Sequence, residues 1–248
     1  MRAHRPCSAR APDDHPLDAC QNPRVIRSGT SDGPSPASVR ILVIDDHQMF
    51  AASLAQALQS EPDLLVVGQG TSIAEARNLM ASAAPDVVLL DHRLPDGDGV
   101  GAIAWLHAIR PSAKIVVLTA TTSDRVLVAA MEAGAAGFIA KTQRLDDVIE
   151  GVRAAAQGES VVNVKLLTRL LPRLHRQSGG GGAVLTERER EILDLLARGL
   201  SNADIAQQLT ISVHTVRNHV ANLSAKLGAH SKLEVLSIAV RDGLVDGT

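Results

Sequence analysis

The sequence predicts a doubly wound α/β domain with a parallel five-stranded sheet in the order 2-1-3-4-5, followed by an all-α domain of four helices. Three observations lead there. Apolar runs at 40–45, 64–68, 86–90, 114–119 and 137–140 alternate with stretches of helical periodicity. These runs are continuously hydrophobic, as strands covered on both faces are, rather than alternating in polarity. Beyond residue 183 the strand-like runs cease and every apolar spacing is helical.

Taken in order, residues 1–38 are rich in Pro, Ser, Asp and Arg, lack hydrophobic periodicity and are expected to be disordered. Cys7 and Cys20 both fall in this tail, where a disulfide would staple no core and no further Cys completes a metal site. The α/β domain is expected over 39–157, with helices near 47–60, 72–83, 98–109, 123–133 and 145–157. Ser72 with Glu75 reads as a capping box, and Gly134 as a left-handed helix terminus. Residues 158–182 read as a linker: a short helix within 161–175, then a flexible break ending in the four glycines of 179–182. In 183–248, Thr186 and Glu189 cap a first helix ending near Gly199. Ser201 caps a second at 202–209, Ser212 a third to about 226, and a fourth runs from 231 to 241. The second and third, joined by Thr210-Ile211, form a helix-turn-helix.

Composition limits the function classes. At 248 residues and 45% hydrophobic the chain can bury two modest cores, and with 1% aromatic residues those cores must be aliphatic. No apolar run approaches the roughly 20 residues of a membrane span. The N-terminus lacks the apolar stretch of about 7 to 15 residues of a secretory signal, so a cytoplasmic protein is expected. The net charge of −2 hides a polarity: 39–150 is strongly acidic and 151–182 basic, which points to two domains with different partners.

The chemistry lies at the strand ends. The first strand runs into Asp45-Asp46, the third into Asp91, the fourth into Thr119, and the fifth is followed by Lys141. In the order 2-1-3-4-5 the first and third strands leave in opposite directions, and the crevice at their carboxyl ends is where this architecture binds ligands. Three carboxylates gathered there repel by about 4 kcal/mol per pair at 4 Å and an effective dielectric near 20. A divalent cation is favoured, and oxygen-only ligands suit Mg²⁺. Asp91 is then the candidate nucleophile, with Lys141 and Thr119 positioned for phosphoryl oxygens.

With VVLLDHRLPDGDG at 87–99, VLTA at 117–120 and GFIAK at 137–141, residues 39–157 resemble the flavodoxin-like receiver domain of two-component response regulators. The resemblance implies that Asp91 accepts phosphate from a sensor histidine kinase. It implies that Asp46 ligates Mg²⁺ directly, that Asp45 helps, often through water, and that Asp91 and the carbonyl of Arg93 complete the protein ligands. It further implies that Thr119 moves toward the phosphoryl group while Phe138 turns inward.

LTERERE at 185–191, ARGLSNADIAQQLTIS at 197–212 and VHTVRNHVANLSAKLGAHSK at 213–232 resemble the LuxR-type DNA-binding domain, and the two halves together resemble a NarL/FixJ-type response regulator. From Thr210 to Leu233 there is no acid, while Glu187, Glu189, Glu191 and Asp194 gather on the first helix, a polarised module suited to double-stranded DNA. By the resemblance, His214 and Thr215 lie near phosphates, Arg217 and Asn218 face base edges, and Lys226 and Lys232 hold the backbone. It also implies a homodimer when phosphorylated and RNA polymerase as a further partner. Two rival readings are a DNA-binding regulator indifferent to phosphate and a Mg²⁺-dependent phosphohydrolase. The haloacid dehalogenase type of phosphatase wants a second Asp two positions after the nucleophile, where Arg93 stands. The expectation is a switch that holds phosphate, not an enzyme.

Overall fold

The structure is a computed structural model and describes residues 38–120, 123–162, 164–174 and 185–245. The expected disorder of the N-terminal tail, with its two cysteines, and the glycine-rich break lie outside these residues, Ser38 excepted. The first half contains β1 (Val39–Ile44), α1 (Gln48–Gln59), β2 (Leu64–Gly70), α2 (Ile73–Ala83), β3 (Val87–Asp91), β4 (Arg93–Leu94), β5 (Gly97–Asp98), α3 (Gly99–Ile109), β6 (Lys114–Thr119), α4 (Asp124–Glu132), β7 (Gly137–Ala140) and α5 (Leu145–Ala156). Then come α6 (Val164–Leu174), α7 (Glu187–Ala197), α8 (Asn202–Gln208), α9 (Val213–Leu227) and α10 (Lys232–Arg241).

The main sheet runs β2-β1-β3-β6-β7, all parallel, which is the predicted 2-1-3-4-5 with its strands numbered within the sheet. Its side chains divide by pleat. Ile41, Val43, Leu89, Val116 and Leu118 meet α1 and α5 on one face. Leu42, Ile44, Leu90, Ile115, Val117 and Phe138 face the α2, α3 and α4 side. Both sets are buried, which is why the strands read as unbroken apolar runs. Two features were not predicted. Between the third strand and the third helix, where no strand is expected, β4 and β5 form an antiparallel pair, Arg93 opposite Asp98 and Leu94 opposite Gly97. Val161, assigned to the linker, extends the sheet edge: it bridges Gly137, and Phe138 N donates to its carbonyl at 2.7 Å.

Capping largely follows the sequence. Ser72 Oγ accepts from Glu75 N at 3.2 Å, but the Glu75 carboxylate reaches Thr71 N rather than Ser72 N, so the box is not reciprocal. Gly134 takes a positive φ of 100° after α4. Thr186 and Glu189 form a complete box on α7, and Ser201 with Asp204 another on α8. Thr186→Ala should lower the unfolding free energy of the helical segment by about 1 kcal/mol, measured as a shift of the urea midpoint. Thr210, between α8 and α9, has φ of 53°, an unusual backbone for a β-branched residue, and it sets the tight turn that joins them.

The connector helix α6 packs on both α4 and α10. Leu167, Leu170 and Leu171 are buried in an apolar cluster that continues into Leu193, Val216 and Leu236, joining the α/β part to the helical part. Arg169, half-exposed, pairs with Asp124 at the start of α4 at 2.7 Å.

Candidate functional site

The carboxyl ends of β1, β3, β6 and β7 bring the predicted acids, hydroxyl and amine together. Asp45 and Asp91 are buried and Asp46 is exposed at the rim. Lys141 Nζ lies 2.7 Å from Asp45 Oδ2 and 2.7 Å from Asp91 Oδ2, and 5.2 Å from the centre of the Phe50 ring. Burial alone would lower the pKa of Lys141, but its hydrogen bonds to Asp45 and Asp91 outweigh that and hold it above its ordinary value. The lysine therefore bridges two acids, where sequence reasoning had aimed it only at a phosphoryl oxygen. It offsets part of the carboxylate repulsion and leaves Asp45, Asp46 and Asp91 with an excess of two negative charges.

Ligand atoms of Asp45, Asp46, His47 and Asp91 all lie within 4.8 Å of one another. Hard oxygen donors with a residual double negative charge fit a divalent cation such as Mg²⁺. Arg93 is exposed, and its N–H donates to Asp91 Oδ1 at 3.3 Å. Thr119 is buried at the end of β6, and its carbonyl accepts from Lys141 N at 2.9 Å. Phe138, expected to turn inward on switching, is already inside, 7% exposed. A Cβ at Gly99 would collide with the Asp91 carbonyl oxygen, so glycine there lets the β5–α3 junction close over the strand end. The two aspartates of the DGD triplet serve as caps. Asp96 accepts from Ile73 N and Ala74 N at the start of α2, which lowers its pKa, and Asp98 accepts from Val100 N at the start of α3.

Sequence reasoning missed two histidines whose only signal was adjacency to the acids. His47 Nδ1 stands 2.8 Å from Asp46 Oδ1, and its N–H donates to Asp45 Oδ1 at 2.9 Å. His92 is buried beside Asp91, its Nδ1 3.3 Å from Asp91 Oδ1.

The proposed DNA-facing residues divide. His214 and Asn218 are exposed on α9, and Thr215 joins the cap of that helix through Ser212. Arg217 is exposed but bonded to Gln157 Oε1 at the end of α5, at 2.8 Å. Lys226 pairs with Glu189 of α7 at 2.6 Å and holds that carboxyl down to about 2. Lys232, expected to hold the DNA backbone, is buried in this structure, with Nζ 3.2 Å from Glu159 Oε2 and 3.3 Å from the Leu200 carbonyl. Gln157 and Gly158 thus face Arg217, Val220, Ala221 and Ser224 of α9 across a cavity of about 340 Å³.

A second contact lies at the start of α10. Ser231 Oγ donates to the Ala135 carbonyl at 2.8 Å, and Lys114 Nζ to the His230 carbonyl at 3.3 Å. The His230 ring stacks on His107 with centroids 4.4 Å apart, and Glu234 Oε2 lies 3.3 Å from His230 Nδ1. Burial pushes His107 down to about 4, with the Gly134 carbonyl opposing and His230 and Lys114 adding repulsion. Its folded pKa lies below the unfolded value of 6.5, so the unfolded chain binds the extra proton between those values. Stability from this group is complete above about pH 6.5 and is lost as pH falls toward 4. After allowance for solvent screening the loss is about 2 kcal/mol. Urea unfolding of wild type and His107→Phe at pH 7 and 5 checks it: the wild type should lose more stability between the two.

Comparison with known proteins matches this geometry. The response regulator receiver domain family matches residues 41–153, and the luxR family of bacterial regulatory proteins matches 183–239. The transcriptional regulatory protein LiaR of Bacillus subtilis is 34% identical over 211 residues, covering 84% of this chain and all of that one. The response regulator protein VraR of Staphylococcus aureus is 33% identical over 208 residues, covering 84% and 99%. Among solved structures, the RcsB response regulator of Salmonella typhimurium shares the fold at 24% identity and a TM-score of 0.50, covering 81% of this chain and 97% of that one. With both domain families in order on one chain and the relatives matched over nearly their whole length, the chain belongs to the two-component response regulators that join a receiver domain to a LuxR-type DNA-binding domain, proteins whose DNA binding is controlled by phosphorylation.

Proposed function

We propose that Asp91 is the phosphoacceptor of this regulator and that a sensor histidine kinase supplies the phosphoryl group. The observation that carries the reading is the buried Asp91 carboxylate held by Lys141 beside Asp45 at the mouth of the parallel sheet. Asp45, Asp46, Asp91 and the carbonyl of Arg93 would hold Mg²⁺. When bound, the ion would neutralise charge on the incoming phosphoryl group. Asp91 attacks phosphorus as a carboxylate: a bond from its oxygen to phosphorus forms as the phosphorus–nitrogen bond to the kinase's histidine breaks, and the electron pair returns to that imidazole. Lys141, already bonded to Oδ2, turns one N–H to a phosphoryl oxygen, and Thr119 supplies a hydroxyl from the neighbouring strand end.

On the DNA side, Arg217 and Asn218 read base edges, His214 and Thr215 approach phosphates, and Lys226 and Lys232 hold the backbone. Arg217 and Lys232 are engaged by Gln157 and Glu159 in this structure, so DNA engagement requires those contacts to part. This arrangement is the closed state; phosphorylation opens it and favours a homodimer on half-sites about 10 bp apart or a multiple of that. RNA polymerase and a cytoplasmic location complete the reading; among the described residues no helix is long and apolar enough to cross a membrane. Footprinting with and without a phosphodonor tests it: protection should strengthen on phosphorylation, and equal protection in both states would sink it. Arg217→Ala should cost about 1 to 3 kcal/mol of sequence discrimination, read as a flattened binding-site preference.

A further inference from the structure

His92 follows Asp91 directly and carries a polar atom that the fold leaves without a hydrogen bond. Its side chain is 7% exposed, and Nδ1 is buried with no aligned partner. Asp91 Oδ1, which also accepts from Arg93 N–H, lies 3.3 Å from it, close enough for a small ring rotation to complete a bond. His92 is fixed from both sides by its own backbone: its N–H donates to the Leu118 carbonyl at 3.2 Å, and its carbonyl accepts from Gly99 N at 3.0 Å. Oδ2 of Asp91 belongs to Lys141, so the two carboxylate oxygens have separate neighbours. A buried polar group left unmade is costly, and one aimed at the reacting carboxylate bears on its chemistry. The tautomer follows from electrostatics: a proton on Nδ1 attracts the carboxylate, whereas a lone pair there would repel it.

We propose that His92 is a phosphoryl-site residue that shortens the lifetime of the phosphate on Asp91, by donating from Nδ1 to Oδ1 of the departing carboxylate. The inference rests on the reading of Asp91 as phosphoacceptor. In the phosphorylated protein Oδ1 is the carbonyl oxygen of a mixed anhydride and accepts a hydrogen bond less strongly than a carboxylate does. Hydrolysis forms a bond from a water oxygen to phosphorus and breaks the phosphorus–Oδ2 bond, whose electron pair returns to Asp91. Both water hydrogens leave on inorganic phosphate. Charge therefore grows on the Asp91 carboxyl group as the bond breaks, and a donor at Oδ1 favours that change.

The full chain, loaded with acetyl phosphate and Mg²⁺ and then freed of donor, provides the test by ³¹P NMR of the acyl phosphate with time. His92→Leu removes the donor and should lengthen the half-life about fivefold. His92→Gln, whose amide nitrogen falls near Nε2 rather than Nδ1, should behave as Leu does. His92→Asn places an amide nitrogen near Nδ1 and should keep the wild-type half-life. This pattern does not follow from packing alone, and if Leu fails to give a cooperative melt, Gln against Asn decides. Equal half-lives for wild type, Gln and Asn overturn the role of His92. No acyl phosphate on the wild type overturns instead the reading of Asp91.

Discussion

Asp91→Asn is expected to abolish phosphate acceptance while leaving the protein folded. The amide has nearly the shape of the carboxylate, and its oxygen can still accept from Lys141, which also keeps its 2.7 Å contact with Asp45. What is lost is the anionic oxygen that attacks phosphorus. Its acidic neighbours are Asp45, which is buried and shares the same lysine, and Asp46, which is exposed at the end of β1. Removing a nucleophile outright should slow loading by at least about a thousandfold. DNA affinity should then be the same with and without acetyl phosphate, at the level of the unphosphorylated wild type. Mobility on a phosphate-binding gel measures the first outcome and a DNA titration the second. Loading of the Asn variant at the wild-type rate would place the phosphate elsewhere, and a phosphodonor response that survives the substitution would separate DNA binding from this site.

That such a site could be read from sequence follows from how parallel strands behave. A strand buried on both faces is an unbroken apolar run, so the first polar residue after it marks its end, and Asp45, Asp91, Thr119 and Lys141 were placed in one crevice by counting runs. Contacts made across the crevice were less legible. Lys141 bridging Asp45 and Asp91 depends on the spacing of β1, β3 and β7, which no local pattern encodes. Asp96 capping α2 joins residues 22 and 23 positions apart. His92 resembled any residue after a strand, and only its burial beside Asp91 gives it weight. The helical domain repeats the pattern. Local caps at Thr186, Ser201 and Ser212 were visible as short-range spacings, whereas the destination of Lys232 was not. The resemblance assigned it to the DNA backbone, and its partner Glu159 lies 73 positions away. The resemblance implied that Phe138 turns inward on switching, and in this structure it is already buried.

Glu159→Gln should release the DNA-binding helices without phosphate. Lys232 is buried between the two parts of the chain: its side chain is 6% exposed, and its neighbours are Glu159, the Leu200 carbonyl and Asn202 Oδ1. Burial lowers its pKa, and the charge of Glu159 is the largest influence holding it up, with Asp204 adding less. Glutamine keeps the size and an acceptor but removes the charge, leaving a buried ammonium with neutral partners. Breaking a buried pair in this way typically costs about 3 to 5 kcal/mol. Glu159 is itself partly exposed and the lysine can shed its proton, so the lower figure is the better expectation. The cost falls only on the closed arrangement, because a parted Lys232 is solvated and free to meet a phosphate. A shift of about 3 kcal/mol raises the affinity of the unphosphorylated protein for DNA by up to about a hundredfold, with a ceiling where the open form becomes the majority. Phosphorylation should then add little in the variant. Lys232→Met in the Glu159→Gln background removes the stranded charge and should close the arrangement again, although it also removes a proposed DNA contact. The decisive comparison is therefore between wild type and Glu159→Gln without phosphodonor. Equal DNA affinities there would mean that the Glu159–Lys232 contact does not restrain α9.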